Sequence, residues 1–200
     1  MSKIRNTPAD DSSCGWFHLS PPRTARPPHF GVRSARWVVV GAGFTGLAAA
    51  RQLALNFPDD EIVLIEAQEV GYGASGRNAG FAIDLPHDIG ADDYIGDIKT
   101  AKISMELNLT GQSILKDLVE QHGIECQLRL CGKYQGAVEP RGIAVLDAYR
   151  LGLDKLGQEY EMIEEKDLPN HIGTPFYRKA LFTPGTALIQ PAALVKGLAN

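Results

Sequence analysis

At 200 residues with 44% hydrophobic content, the chain can bury one domain's core, or one domain and part of a second. Its net charge of −4 excludes the general electrostatic grip on nucleic acid that clustered Lys and Arg provide, and no apolar run approaches the roughly 20 residues of a membrane span. The cysteines Cys14, Cys126 and Cys131 lack the CxxC spacing of a zinc or redox motif and read as reduced thiols, so no metal site is expected.

The N-terminal stretch 1–36 carries Lys3, Arg5, Arg23, Arg26, Arg33 and Arg36 against Asp10 and Asp11. Pro8, Pro21, Pro22, Pro27 and Pro28 break any periodicity, and the stretch reads as a flexible or loosely docked basic arm. It lacks the apolar core of a secretory signal, and its two aspartates argue against a transit peptide, so a cytoplasmic location is the default expectation.

Trp37 to Val40 is a short apolar run ending in glycine, which predicts a parallel strand buried on both faces. Leu47, Ala50, Leu53 and Ala54 then recur at helical spacing, giving a helix from about Thr45 to Asn56 that Phe57-Pro58-Asp59-Asp60 stops. Glu61 to Ala67 is apolar and β-branched and predicts the second strand. Together these form a strand, helix, strand unit with a right-handed crossover, and the fold class is α/β.

Further on, Asp97 to His122 reads as a helix with Ile114, Leu115, Leu118 and Val119 on its apolar face and Gly123 as its stop. Gln127 to Val138 alternates loosely around Gly132 and Gly136, as a strand or a bulged hairpin does. Glu139 to Leu156 reads as a helix, Tyr160 to Ile163 as a short strand, and Glu164 to Leu168 as a short acidic helix. Tyr177 to Gln190 forms two extended pieces around Thr183-Pro-Gly-Thr186, and Pro191 opens a final helix whose Leu194, Val195 and Leu198 have no evident partner.

The chemistry concentrates in Gly41-Ala42-Gly43-Phe44-Thr45-Gly46. Gly41 permits the tight turn off the strand, Gly43 removes the side chain that would block a diphosphate, and Gly46 lets the helix pack close to the strand. The phosphates of a dinucleotide would face free amides at a helix N-terminus. Glu66 stands where an acid accepting from ribose hydroxyls is expected, and its charge would repel the 2′-phosphate of NADP.

With Val38 to Leu47, Leu64-Ile-Glu-Ala67 and Gly71-Tyr-Gly-Ala-Ser-Gly-Arg-Asn-Ala-Gly80, and more loosely Ala187 to Leu198, the sequence resembles the FAD-dependent oxidoreductases of the D-amino-acid oxidase superfamily. The likeness is greatest to the glycine oxidase and gamma-glutamylputrescine oxidase branch. It implies a Rossmann-like FAD-binding βαβ domain with part of a second α+β substrate domain. The boundaries expected are 1–36 for the arm, 37–90 for the FAD-binding core, 91–186 for a partial substrate region and 187–200 for a truncated return to the FAD domain.

The resemblance implies a cofactor site of Gly41, Ala42, Gly43, Phe44, Thr45, Gly46, Glu66 and Ala67, with Ser75, Gly76, Arg77, Asn78, Ala79 and Gly80 beneath the flavin side. Small residues there admit main-chain donors to a large anion, and Arg77 adds positive charge. Some relatives attach flavin through a histidine near this turn; Arg77 and Asn78 occupy the region here, so noncovalent FAD is expected. The implied reaction is oxidation of the C–N bond of a small amine or amino acid, with hydride passing to flavin and the imine then hydrolysing.

No side chain is assigned a catalytic role. His87 in a loop, and Arg129, Lys133 and Tyr134 on an expected half-exposed strand, have structural explanations. Family members are about twice as long, so a partial gene product is expected. The alternatives are an inactive cofactor-binding fragment, or a subunit completed by another chain, and an NAD-dependent dehydrogenase; the last leaves Ser75 to Gly80 unexplained.

Overall fold

The computed structural model describes residues 13–88 and 90–200. Lys3, Arg5, Pro8, Asp10 and Asp11 of the basic arm lie outside the described residues. The chain divides into two compact units, one holding the described residues through Ala79 with Ile124–Cys126 and Gln190–Asn200, the other Gly80–Gly123 and Gln127–Ile189.

In the first unit, β1 (Trp37–Val40) pairs in parallel with β2 (Ile62–Ile65), Trp37 opposite Ile62 and Val40 opposite Ile65. The Gly41 amide donates to Ile65 O at 2.7 Å, which carries the pairing into the turn. Between the strands runs α2 (Phe44–Asn56), closed at its end by Phe57 stacked on Trp37 with centroids 5.2 Å apart. Trp37 Nε1 donates to Asp60 Oδ2 at 2.8 Å and so ties the loop back to β1. β1 is not buried on both faces as expected: Val38 is 57% and Val40 79% exposed, and Ile65 of β2 is exposed beside them. Strand alternation turns these three away from α2, and nothing among the described residues of the unit covers them fully.

α6 (Pro191–Leu198) is the unit's best-buried element. Contrary to the expectation of an open helix, Leu194 and Val195 are buried, because α1 (Gly15–Leu19) and the 3₁₀ turn Ala74–Gly76 pack on it. Part of the segment read as a loose arm thus has defined contacts. Lys196 Nζ donates to Ser20 Oγ at 2.7 Å and sits 3.8 Å from the Phe17 ring centre, while Gln190 Nε2 donates to Trp16 O at 2.7 Å.

The second unit holds two three-stranded antiparallel sheets. The first is β3 (Phe81–Ala82), β8 (Ala187–Leu188) and β4 (Arg129–Leu130), with β8 central. The second is β5 (Lys133–Ala137), β7 (Lys179–Thr183) and β6 (Glu161–Glu164), with β7 central. Gln127 to Val138 is therefore not a hairpin, since β4 and β5 pair with different sheets. α4 (Pro140–Leu156) lays Leu146, Tyr149 and Leu153 against Leu181 and Ala137 to make the core. α3 (Ile98–His122) starts with Asp97 accepting from the Thr100 amide and ends on Gly123 at φ +59°. The acidic helix expected at Glu164 to Leu168 is instead a strand end and a turn, followed by α5 (Leu168–Ile172) with Pro169 in its first turn.

Candidate dinucleotide site

The site of the first unit is built on glycine geometry. Gly41 has φ +97°, a conformation glycine adopts without strain, and it turns the chain from β1 into α2. A Cβ on Gly46 would overlap the Gly41 carbonyl oxygen, so the helix can approach the strand end only because that carbon is missing. Gly43 is the N-cap of α2, with no side-chain cap. The amides of Gly43, Thr45 and Gly46 have no hydrogen-bond partner among the described residues, leaving donors directed off the positive end of a 13-residue helix.

Glu66 follows β2 and is pinned by two backbone bonds, accepting from the Ala42 amide at 2.8 Å and the Gln68 amide at 3.2 Å. An ionised carboxylate has about four acceptor positions, so two remain for hydroxyls brought alongside the turn. Ala67 is exposed next to it. The second glycine turn repeats the geometry of the first: Gly71 has φ +86°, and a Cβ on Gly76 would overlap the Gly71 carbonyl oxygen. Its Ser75 Oγ accepts from the Phe44 amide at 2.9 Å, and a Cβ on Gly43 would meet that oxygen at 2.7 Å.

The structure thus brings Gly41 to Gly46, Glu66 and Ser75 together. Arg77 and Asn78 serve the second turn itself: Arg77 Nε donates to Tyr72 O at 2.6 Å with its guanidinium 4.7 Å from the Tyr72 ring centre, and Asn78 Nδ2 donates to Ser75 O at 2.9 Å. Ala79 is the last residue of the first unit's N-terminal segment; Gly80 belongs to the second, where its carbonyl accepts from the Ile189 amide at 2.8 Å. The bond from Phe44 to Ser75 is missed by reading the motifs separately. Its signal is the spacing of Gly71, Gly73 and Gly76, which repeats that of Gly41, Gly43 and Gly46.

Beside Glu66 lies a cavity of about 730 Å³, lined by Ala42, Val38, residues 63–70 of β2 and the chain that follows it, and arm residues between Arg23 and Ala35. This volume falls within the 300–1,000 Å³ or so of small-molecule sites.

The second unit contains a separate buried polar cluster. Lys133 is 8% exposed, facing the core instead of lying on a half-exposed strand. It pairs in register with Thr183, and its Nζ lies 5.9 Å from the Tyr149 ring centre. Burial pushes its pKa below the ordinary lysine value, with the Asp84 carboxylate opposing. Burial and Asp84 both push the Tyr149 phenol up. The Tyr149 and Thr183 hydroxyls and Gln135 Oε1 are buried without a partner among the described residues. His87 stacks on Tyr94, centroids 4.8 Å apart, and its pKa is lowered by lost solvation and then by the Lys133 charge. Among the described residues no group of three or more His, Cys, Asp or Glu could hold a metal ion, and no helix is long and apolar enough to cross a membrane.

A strand, glycine turn, helix, strand unit with an acid after its second strand defines a Rossmann-like dinucleotide-binding fold. Residues 36–200 match the family model described as FAD dependent oxidoreductase, and the chain belongs to that family. It is 29% identical over 178 residues to the probable oxidoreductase OrdL of Haemophilus influenzae, covering 87% of this chain and 40% of that protein. To the gamma-glutamylputrescine oxidoreductase of Escherichia coli it is 27% identical over 164 residues, 81% of this chain and 38% of that protein. Among solved structures, glycine oxidase from Geobacillus kaustophilus matches with TM-score 0.67 at 18% identity, over 82% of this chain and 43% of that one. L-amino acid deaminase from Proteus myxofaciens matches with TM-score 0.64 at 17% identity, over 89% and 38%. The chain spans about two-fifths of the length of these relatives.

Proposed function

We propose that this chain is the FAD-binding portion of an oxidoreductase that oxidises the C–N bond of a small amine or amino acid, holding its cofactor noncovalently. The observation that carries the reading is the convergence of three free amides at Gly43, Thr45 and Gly46 with a carboxylate, Glu66, pinned by the Ala42 amide. The amides suit a diphosphate, and the carboxylate's remaining acceptor positions suit ribose hydroxyls. When bound, the flavin supplies a hydride acceptor for the carbon that bears nitrogen. The chain's own task is to hold the dinucleotide in place. A family described as FAD dependent, together with the second glycine turn after β2, favours this over an NAD-dependent dehydrogenase.

The test is titration of the purified chain with FAD, followed by flavin fluorescence, alongside NADH as the competing dinucleotide. Glu66→Ala removes charge-assisted acceptors contributing about 1.5–3 kcal/mol each, so FAD affinity should fall at least tenfold. Unchanged affinity would remove Glu66 from the site, and preference for NADH would overturn the flavin reading. A second reading, of a cofactor-binding piece completed by a further segment or chain, is favoured by the exposed Val38, Val40 and Ile65. Turnover of amines by the 200-residue chain alone would exclude it.

A further inference from the structure

The arm between Arg23 and Arg33 is pinned at both ends. Arg23 donates to Asn200 Oδ1 at 2.9 Å and Ala199 O at 2.8 Å, behind α6, and Arg33 pairs with Glu61 at the start of β2. Between these anchors, Pro27 and Pro28 fix the backbone torsions and stiffen the crossing. The crossing lines the same cavity as Ala42 and Glu66.

Its side chains are arranged against hydrophobic expectation. Phe30 is 86% and Val32 fully exposed, and neither lines the cavity, whereas Arg26 and His29 do. Among the described residues neither Arg26 nor His29 has a hydrogen-bond or ion-pair partner. Ala25, Pro27, Pro28 and Gly31 line the cavity beside them, and Arg26 and His29 remain exposed, so burial does not hold these two side chains in place. Guanidinium and imidazole planes stack on aromatic rings, and a nucleobase is the aromatic group that accompanies a ribose held by an acid.

We propose that residues 24–32 are a clamp over the adenosine end of the dinucleotide, with Arg26 and His29 meeting the adenine while Glu66 holds the ribose. The inference rests on the FAD reading above. It adds binding residues that lie before residue 36, where the match to the family model begins.

The experiment compares FAD, ADP and FMN binding to the whole chain and to Arg26→Ala/His29→Ala, with a second variant replacing 24–32 by a Gly-Ser linker of equal length. The replaced side chains are exposed or cavity-lining, so circular dichroism and melting temperature should be unchanged. FAD and ADP affinities should fall about tenfold in both variants, whereas FMN, which has no adenosine, should bind as before. Equal FAD affinity in all three proteins would overturn the clamp while leaving the FAD reading intact. Tighter binding without the arm would show an obstruction and overturn it too. Failure of the unaltered chain to bind FAD or ADP would overturn the FAD reading and the clamp together.

Discussion

Phe44 donates its backbone N–H to Ser75 Oγ at 2.9 Å, so the first residue of α2 is fastened to the second glycine turn 31 residues later. The same oxygen stands 2.7 Å from where a Gly43 Cβ would be, so one hydroxyl satisfies a helix-terminal donor and sets the size limit of its neighbour.

A double-mutant cycle tests that dual role. Ser75→Ala should cost about 1 kcal/mol by leaving the Phe44 amide without its acceptor. Gly43→Ala should destabilise through the clash with Oγ, but in the double variant the nearest remaining atom is Ser75 Cβ at 3.7 Å, an ordinary contact. The two effects should therefore couple by about 1 kcal/mol in urea melts. Simple additivity would mean that Oγ does not constrain Gly43.

Gly46 and Gly76 should be the least replaceable glycines of the two turns. At each, a Cβ overlaps the backbone carbonyl of the glycine that opens the turn, and a carbonyl cannot swing aside as a side-chain tip can. Alanine at either position should cost about 3 kcal/mol, the upper end for overpacking, as read by denaturant midpoint. Gly73 is the internal control: nothing lies within 4 Å of its Cβ position and its φ is −78°, so Gly73→Ala should stay within about 0.5 kcal/mol.

Lys133→Met should stabilise the chain by about 1 kcal/mol at neutral pH, because an apolar side chain of similar length replaces a charge whose burial outweighs its attraction to Asp84. The pH dependence follows from the depressed pKa. Between the folded value and 10.5 the unfolded chain binds more protons at this site, so the unaltered protein gains stability as pH rises through that window. The burial penalty is in full force below the folded value, and the advantage of the Met variant should shrink toward pH 10.5. Melting temperatures of both proteins at pH 7 and pH 10 check it; an advantage that grows with pH would reverse the assignment.

What could be read from the chain was local. β1, α2 and β2 were legible because an apolar run, a helical repeat and a second apolar run are separated by glycines and a proline, each acting on its own neighbourhood. The glycine turn and Glu66 were legible for the same reason. Gln127 to Val138 was not, because the partners that split it into β4 and β5 are β8 and β7, some fifty residues on, and alternation cannot name a distant partner. Nor does Lys133 announce its burial, since period two assigns faces without saying which one α4 covers. Glu164 reads as helical beside its acidic neighbours, yet its pairing with Lys179 claims it for β6.

α6 shows the same limit from the other side, and Lys196 offers a test of it. Its apolar face is covered by α1, a short helix within a segment whose prolines and charge predict no packing. Lys196 holds it there by donating to Ser20 Oγ at 2.7 Å and reaching the Phe17 and Pro21 carbonyls at 3.4 Å. Lys196→Met keeps the stem that packs along the helix and removes the donors. Charge-assisted bonds of this kind contribute about 1.5–3 kcal/mol, so local opening of the segment should become about tenfold more frequent. Limited trypsin digestion should accordingly cut after Arg23 about tenfold faster, while Leu194 and Val195 stay protected in hydrogen exchange. If cleavage at Arg23 does not accelerate, the lysine is not what keeps α1 on α6.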